Sequence, residues 1–163
     1  MSKALVVESE RCDGCGRCVK ACALKHAGTE DSDRSRIRIE ECQRVFVPVV
    51  CQQCEDAPCI ASCPTSSRSR DDITGKTEID YKRCIVCKTC IAVCPFGASH
   101  YDRVEKRVVT CDLCDGNPEC VMACDRGAIK YVDKRDINLS KQVEAAEKLC
   151  AVLVPRVRGN SKT

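Results

Sequence analysis

Residues 84–95 read CIVCKTCIAVCP, four cysteines separated by two, two and three residues and closed by a proline. Working outward, Cys51, Cys54, Cys59 and Cys63 precede Pro64, Cys12, Cys15, Cys18 and Cys22 repeat the two-two-three spacing, and Cys111, Cys114, Cys120 and Cys124 close the series. Sixteen of the eighteen cysteines fall into these quartets. Two intervening residues let the backbone loop around one iron–sulfur cube with its amides toward the sulfurs. The third-to-fourth step starts a helix that carries the last thiolate to a second cube. Soft sulfur is the ligand that iron takes in such a cube. Four quartets imply four 4Fe-4S clusters, and a chain carrying four clusters is expected to move electrons.

Other uses of these residues fit less well. Structural zinc favours two separated C-x2-C pairs per tetrahedral site, which the first and third quartets do not resemble. Radical chemistry with S-adenosylmethionine needs C-x3-C-x2-C, and no cysteine triple has that order. Rieske ligation needs paired histidines in place of cysteines, but every quartet is complete. His26 and His100 are therefore expected at the surface or beside a cluster, with His26 placed to donate a hydrogen bond there. Cys42 and Cys150 lie outside the quartets and are expected as small apolar core side chains. The chain has neither GxGxxG nor GxxxxGK[ST], which argues against a dinucleotide site or a P-loop. No catalytic residue of its own is expected.

The chain has 163 residues, only five of them aromatic and none Trp, a thin supply for an ordinary core. Metal ligation contributes folding free energy directly, so the iron-free chain is expected to be largely unfolded. The first residues, MSKALVVESERCDGC, have no apolar run of signal-peptide length, and no stretch approaches the roughly 20 apolar residues of a membrane span. Together with metal-type cysteine spacing, this predicts a cytoplasmic protein with its quartet cysteines as thiolates. The formal charge of +3 counts cysteine as neutral. Each oxidised cubane with four thiolates carries about −2, so four sites bring the loaded protein to about −5. The basic excess reads as compensation for that charge, and nucleic acid is not expected as a partner.

The connectors read as β-hairpins. RIRIE and RVFVPVV within 36–50, DDITGKTEIDY (71–81) turning at Thr74-Gly75-Lys76, and HYDRVEKRVVT (100–110) each supply two short strands. GAIKYVD (127–133) supplies one more, and residues 27–36, AGTEDSDRSR, read as a solvated loop. Ser140 is placed to cap a helix over Lys141–Leu153, where Leu139, Val143, Ala146, Cys150 and Leu153 form an apolar stripe. The basic tail VPRVRGNSKT follows.

RCDGCGRCVKAC, CQQCEDAPCIASCPT and RCIVCKTCIAVCPFGA give the chain, over roughly residues 5–133, a resemblance to the four-cluster polyferredoxin subunits of dimethylsulfoxide reductase, formate dehydrogenase, hydrogenase and carbon monoxide dehydrogenase. The short form is most similar to the subunit of tungsten aldehyde oxidoreductase complexes. The resemblance implies that the first quartet pairs with the fourth and the second with the third. One cluster would then take Cys12, Cys15, Cys18 and Cys124, and another Cys111, Cys114, Cys120 and Cys22. A third would take Cys51, Cys54, Cys59 and Cys94, and the last Cys84, Cys87, Cys90 and Cys63.

The expected fold is α+β: two nested bacterial ferredoxin-like modules of short hairpins and short helices around four cubanes, plus a C-terminal helix. Residues 1–135 would hold the outer module (1–45 with 100–135) and the inner module (46–99), with the helix and tail at 136–163. The resemblance implies an electron-transfer subunit of anaerobic metabolism, relaying electrons between a catalytic tungsten- or molybdenum-pterin subunit and a redox partner such as a flavoprotein. Carbon monoxide dehydrogenase, hydrogenase or formate dehydrogenase as the catalytic partner, or a free polyferredoxin shuttle, are the alternatives. The apolar stripe would serve docking to the partner, or to further copies as a filament.

Overall fold

The computed structural model describes residues 3–137 and Ala146. Within them, short helices and antiparallel strand pairs alternate, an α+β arrangement with no barrel. Strand β1 (Lys3–Val7) pairs with β8 (Ile129–Asp133), joining the two ends of the described chain. The other three sheets are local hairpins: β2 (Arg38–Cys42) with β3 (Val45–Val49), β4 (Arg68–Arg70) with β5 (Thr77–Ile79), and β6 (His100–Asp102) with β7 (Arg107–Val109).

Each quartet starts a helix at its third cysteine. Helix α1 (Arg17–Ala27) runs through Cys22 and stops at Gly28, whose left-handed backbone lets its N–H donate to Leu24 O at 3.0 Å. Helices α2 (Pro58–Ala61), α3 (Thr89–Ala92) and α4 (Glu119–Met122) are single turns that end before the fourth cysteine. This difference explains why no proline follows Cys22. Pro64 and Pro95 follow helices already finished, whereas Ala23 lies inside α1, fully buried, where a proline would break the helix. After Cys124 stands Asp125, ion-paired to Arg17 of α1, while Arg126 pairs with Asp13 at 3.1 Å. α1 packs on α4 and α2 on α3.

Among the described residues, ten buried side chains form the central hydrophobic cluster, and four of these are cysteines, among Leu5, Val19, Ile37, Val50, Leu113 and Ile129. Thiols therefore stand where aromatic side chains would otherwise be. Tyr131 packs at the edge of this core, and Phe46 lies over Gly14 so closely that a Cβ there would be 2.6 Å from the ring.

Several expectations need correction. The strand before the Gly75 turn is Arg68–Arg70, upstream of the DDIT segment. Asp71 instead folds that segment into a turn, its carboxylate accepting from Ile73 N at 3.1 Å and Thr74 N at 2.6 Å. The loop over 27–36 is solvated only in its first part. Ser35 is fully buried, and Arg34 donates to Asp102 at 3.1 Å and Glu105 at 2.6 Å. Arg36 pairs with Asp112. Cys42 is exposed, because it ends β2 at the tip of a two-residue turn, Gln43-Arg44, with both residues left-handed. The expected module boundary between residues 45 and 46 falls inside this β2–β3 hairpin. Helical residues begin at Lys134, with Asp133 accepting from Arg135 N at 3.0 Å. Cys150, the Ser140 cap and the tail lie outside the described residues, and of the stripe only Ala146 is described, helical and exposed. No helix among the described residues is long and apolar enough to cross a membrane.

Candidate metal centres

The loops of the four quartets share a backbone device. The residue before the second cysteine is left-handed in every one: Gly14 (φ 74°), Gln53 (φ 50°), Val86 (φ 55°) and Leu113 (φ 58°). For β-branched Val86 this is a true steric outlier. Such strain persists where the surrounding structure imposes it, and alternating left- and right-handed residues turn successive N–H groups to one side, making a concave anion site. Amides reach the sulfurs directly: Leu113 N donates to Cys111 Sγ at 3.4 Å, Ala98 N to Cys94 Sγ at 3.4 Å and Arg36 N to Cys22 Sγ at 3.3 Å.

Three cavities each gather four thiols. Cys12, Cys15 and Cys18 face Cys124 in one, closed by Ile39, Pro48 and Ile129. Cys84, Cys87 and Cys90 face Cys63 in the second, and Cys51, Cys54 and Cys59 face Cys94 in the third. In each, three cysteines come from one quartet and the fourth from another. Of the remaining four, Cys22, Cys111 and Cys120 lie in the core and Cys114 is half-buried beside them. Burial pushes the Cys111 thiol well up, with Cys120 and Cys22 adding to the effect. Burial, then Cys22 and Cys114, pushes Cys120 up to about 12. All seventeen described cysteines are free. Four converging thiolates in apolar surroundings repel one another and need a compensating cation, and a soft all-sulfur donor set fits an iron–sulfur cubane.

The groups adjoin in a line. Cys18 of the first set acts on Cys120, Cys51 acts on Cys111, and Cys59 acts on Cys90. Gln53 stitches the middle of that line, its Nε2 donating to Cys111 O at 2.9 Å and its Oε1 accepting from Thr77 N at 2.7 Å. Among the quartet cysteines only Cys15 and Cys87 are exposed, one in each terminal group.

The surroundings differ sharply from site to site. Ser67 Oγ lies 3.2 Å and Thr65 Oγ1 3.7 Å from Cys63 Sγ, and Ser67 is the main cause that draws this thiol down to about 6. Thr89 Oγ1 donates to Cys87 Sγ at 3.4 Å and lowers that thiol too. None of these hydroxyls is singled out by the cysteine spacing, although the run TSSRSR directly after Pro64 was a visible signal. His26 stands within the chain's interior side, its Nε2 3.5 Å from Cys114 Sγ and 3.5 Å from Asp112 Oδ1, so it belongs beside a site and not at the surface. His100 is half-buried in β6, with no hydrogen-bond partner for Nε2 among the described residues.

Residues 42–135 match the 4Fe-4S dicluster domain. The chain is 36% identical over 82% of its length to the NADH-dependent phenylglyoxylate dehydrogenase subunit beta of Aromatoleum evansii, of which it spans 31%. It is 38% identical over 74% of its length to the aliphatic sulfonate oxidoreductase polyferredoxin-like subunit of Pyrococcus furiosus, covering 70% of that protein. It is 30% identical over 84% of its length to the electron transport protein HydN of Escherichia coli, covering 91% of it.

Proposed function

Since this chain belongs to the 4Fe-4S dicluster domain family of iron–sulfur electron-transfer proteins, we propose that it relays electrons through four 4Fe-4S clusters between a catalytic oxidoreductase subunit and a redox partner. The supporting observation is that each of three cavities gathers three cysteines of one quartet with one from another, while Cys22, Cys111 and Cys120 meet in the core with half-buried Cys114 acting on Cys120 beside them. The ligand sets are Cys12, Cys15, Cys18 with Cys124; Cys111, Cys114, Cys120 with Cys22; Cys51, Cys54, Cys59 with Cys94; and Cys84, Cys87, Cys90 with Cys63. The nested modules follow from the same pairing, with β1–β8 and α1–α4 joining the outer quartets and α2–α3 the inner ones.

The clusters supply one-electron storage. The chain's own residues hold them apart from water at Cys18, Cys22, Cys111 and Cys120, all buried. The same chain leaves Cys15 and Cys87 exposed at the two ends of the line, where partners can approach. Loading at neutral pH would require the raised thiols to lose their protons to solvent as the sulfurs take up iron. The test is iron and acid-labile sulfide after anaerobic purification, expected at about sixteen of each per chain. A reproducible value of about twelve or fewer overturns the count of four.

A tungsten- or molybdenum-pterin aldehyde oxidoreductase is the proposed catalytic partner, on the resemblance carried by the cysteine motifs; the Pyrococcus relative, a polyferredoxin-like subunit of an aliphatic sulfonate oxidoreductase, supports the coarser reading of an oxidoreductase partner. Affinity purification from the native host, followed by analysis for tungsten, molybdenum and nickel, decides it. A chain ending at Lys134 should keep its iron and lose that partner, and loss of iron instead would assign the C-terminal segment to the body.

A further inference from the structure

Arg68 is the first residue of β4 and is 3% exposed. Its Nη2 donates to Ser99 Oγ at 3.0 Å, whereas Nε and Nη1 have no hydrogen-bond partner among the described residues. No carboxylate among the described residues pairs with it. Other arginines near the sites are neutralised or hydrogen-bonded: Arg34 by Asp102 and Glu105, Arg36 by Asp112, and Arg70 by the carbonyls of Gln53 and Cys54. A guanidinium keeps its charge at any pH a protein survives, and a buried unpaired charge is strongly unfavourable. The compensating anion has to lie where the side chain lies, and Arg68 lines the cavity of Cys63, Cys84, Cys87 and Cys90, with its field acting on Cys90.

We propose that Arg68 is the buried counter-cation of the site formed by Cys63, Cys84, Cys87 and Cys90, and that it gives this site the highest reduction potential in the chain. The inference rests on the reading that those four cysteines hold a cluster. When one electron enters the site, no bond forms or breaks and its charge becomes more negative by one. A fixed positive charge and hydroxyl donors to sulfur favour that reduced state. Ser67 and Thr65, which line the same cavity, and Thr89, which bonds Cys87 Sγ, supply such hydroxyls. Electrons entering the line would collect at this end, beside exposed Cys87.

The experiment is an anaerobic EPR redox titration of the full, cluster-loaded chain with dithionite, in the wild type and in Arg68→Met and Arg68→Lys, with iron measured in each. Cys87→Ser identifies the signal of this site. If Cys87→Ser leaves iron content and every signal unchanged, the ligation reading fails, independently of Arg68. With ligation established, the first-reduced signal should be the one that Cys87→Ser perturbs. Arg68→Met should weaken that site's hold on its electron about tenfold, a fall of about 59 mV for a one-electron couple, with the other signals in place. Arg68→Lys should retain most of the wild-type potential. A fully loaded Arg68→Met protein with unchanged potentials overturns the proposal, as does a wild type whose first-reduced signal belongs to another site. If Arg68→Met fails to load, iron and potential retained in Arg68→Lys support the counter-cation. Iron lost from both variants assigns Arg68 to packing and overturns it.

Discussion

The groups around Cys63 and around Cys120 use the same four-thiol donor set in opposite environments. At Cys63 the chain supplies dipoles and a cation: two hydroxyls on one sulfur, a third on Cys87, and the guanidinium of Arg68 on the wall. At Cys120 it supplies burial, with Cys22, Cys111 and Cys120 all in the hydrophobic core and their thiols pressing on one another. Ligand identity therefore sets what is bound, and the surroundings set how strongly charge is tolerated there. The core group doubles as a structural element, whereas the Cys63 group sits on a short hairpin and single-turn helices.

The largest effect should come from paired ligand substitutions. Cys22→Ser and Cys114→Ser should each damage the same cluster, lowering iron by about four per chain, although the two residues are far apart in sequence. Because three thiols of that site, Cys22, Cys111 and Cys120, are also core, both variants should destabilise the fold more than Cys63→Ser, measured as loss of visible absorbance on heating. Spectra showing that Cys22→Ser and Cys114→Ser damage different clusters would break the comparison.

Next is the ion pair of Arg34 with Asp102. Burial pushes the Asp102 carboxyl up, but the N–H groups of Glu105 and Val104 and the Arg34 guanidinium pull it down further, to a net value below the usual one. Asp102→Asn should cost about 2 kcal/mol at neutral pH, the scale of a hydrogen bond to a charged group. A lowered folded-state pKa gives stability that is full above the ordinary carboxylate range and lost on acidification. The gap between Asp102→Asn and wild type should therefore close as pH falls below about 4. Chemical denaturation of both proteins at several pH values checks this, and a pH-independent gap would mean that charge is not the cause.

Gly14→Ala should cost about 1–2 kcal/mol and fall on the outer side alone, because the new methyl meets the Phe46 ring in a left-handed backbone. Loss of signal from the cluster of Cys84, Cys87 and Cys90 in this variant would contradict it. The smallest effect belongs to Ser67→Ala. Removing one hydroxyl from Cys63 should shift that site's one-electron equilibrium by about threefold toward the oxidised form, with no loss of iron. A shift larger than that of Arg68→Met would place the control in the hydroxyl instead of the cation.

Much of the local structure was legible because its causes are local. The hairpins over 36–50 and 100–110 follow from β-branched alternation, and helices begin at the third cysteine of each quartet as the spacing requires. Where local signals compete, the reading slipped. Asp71 collects backbone N–H groups that a strand would have used, so the strand lies at Arg68–Arg70. β1 went unread because ALVV is only four apolar residues long, and its partner Ile129–Asp133 stands at the other end of the described chain.

The sequence by itself determined the chemistry. Sixteen thiols at iron–sulfur spacing admit few other uses, and a thiolate's affinity for iron does not depend on the fold. Only the tertiary structure decided what surrounds each thiol. Nothing in the run TSSRSR marks Arg68 as buried, and Arg34 and Arg36 read as part of a solvated loop. Their burial comes from long-range packing: β4 turns Arg68 inward against the Cys84–Cys90 loop, and the segment after α1 folds back onto Asp102 and Asp112. Spacing along the chain specifies ligands within a few residues, but the field at a buried sulfur is a sum over neighbours that are distant in sequence, and only closure of the whole chain brings them together.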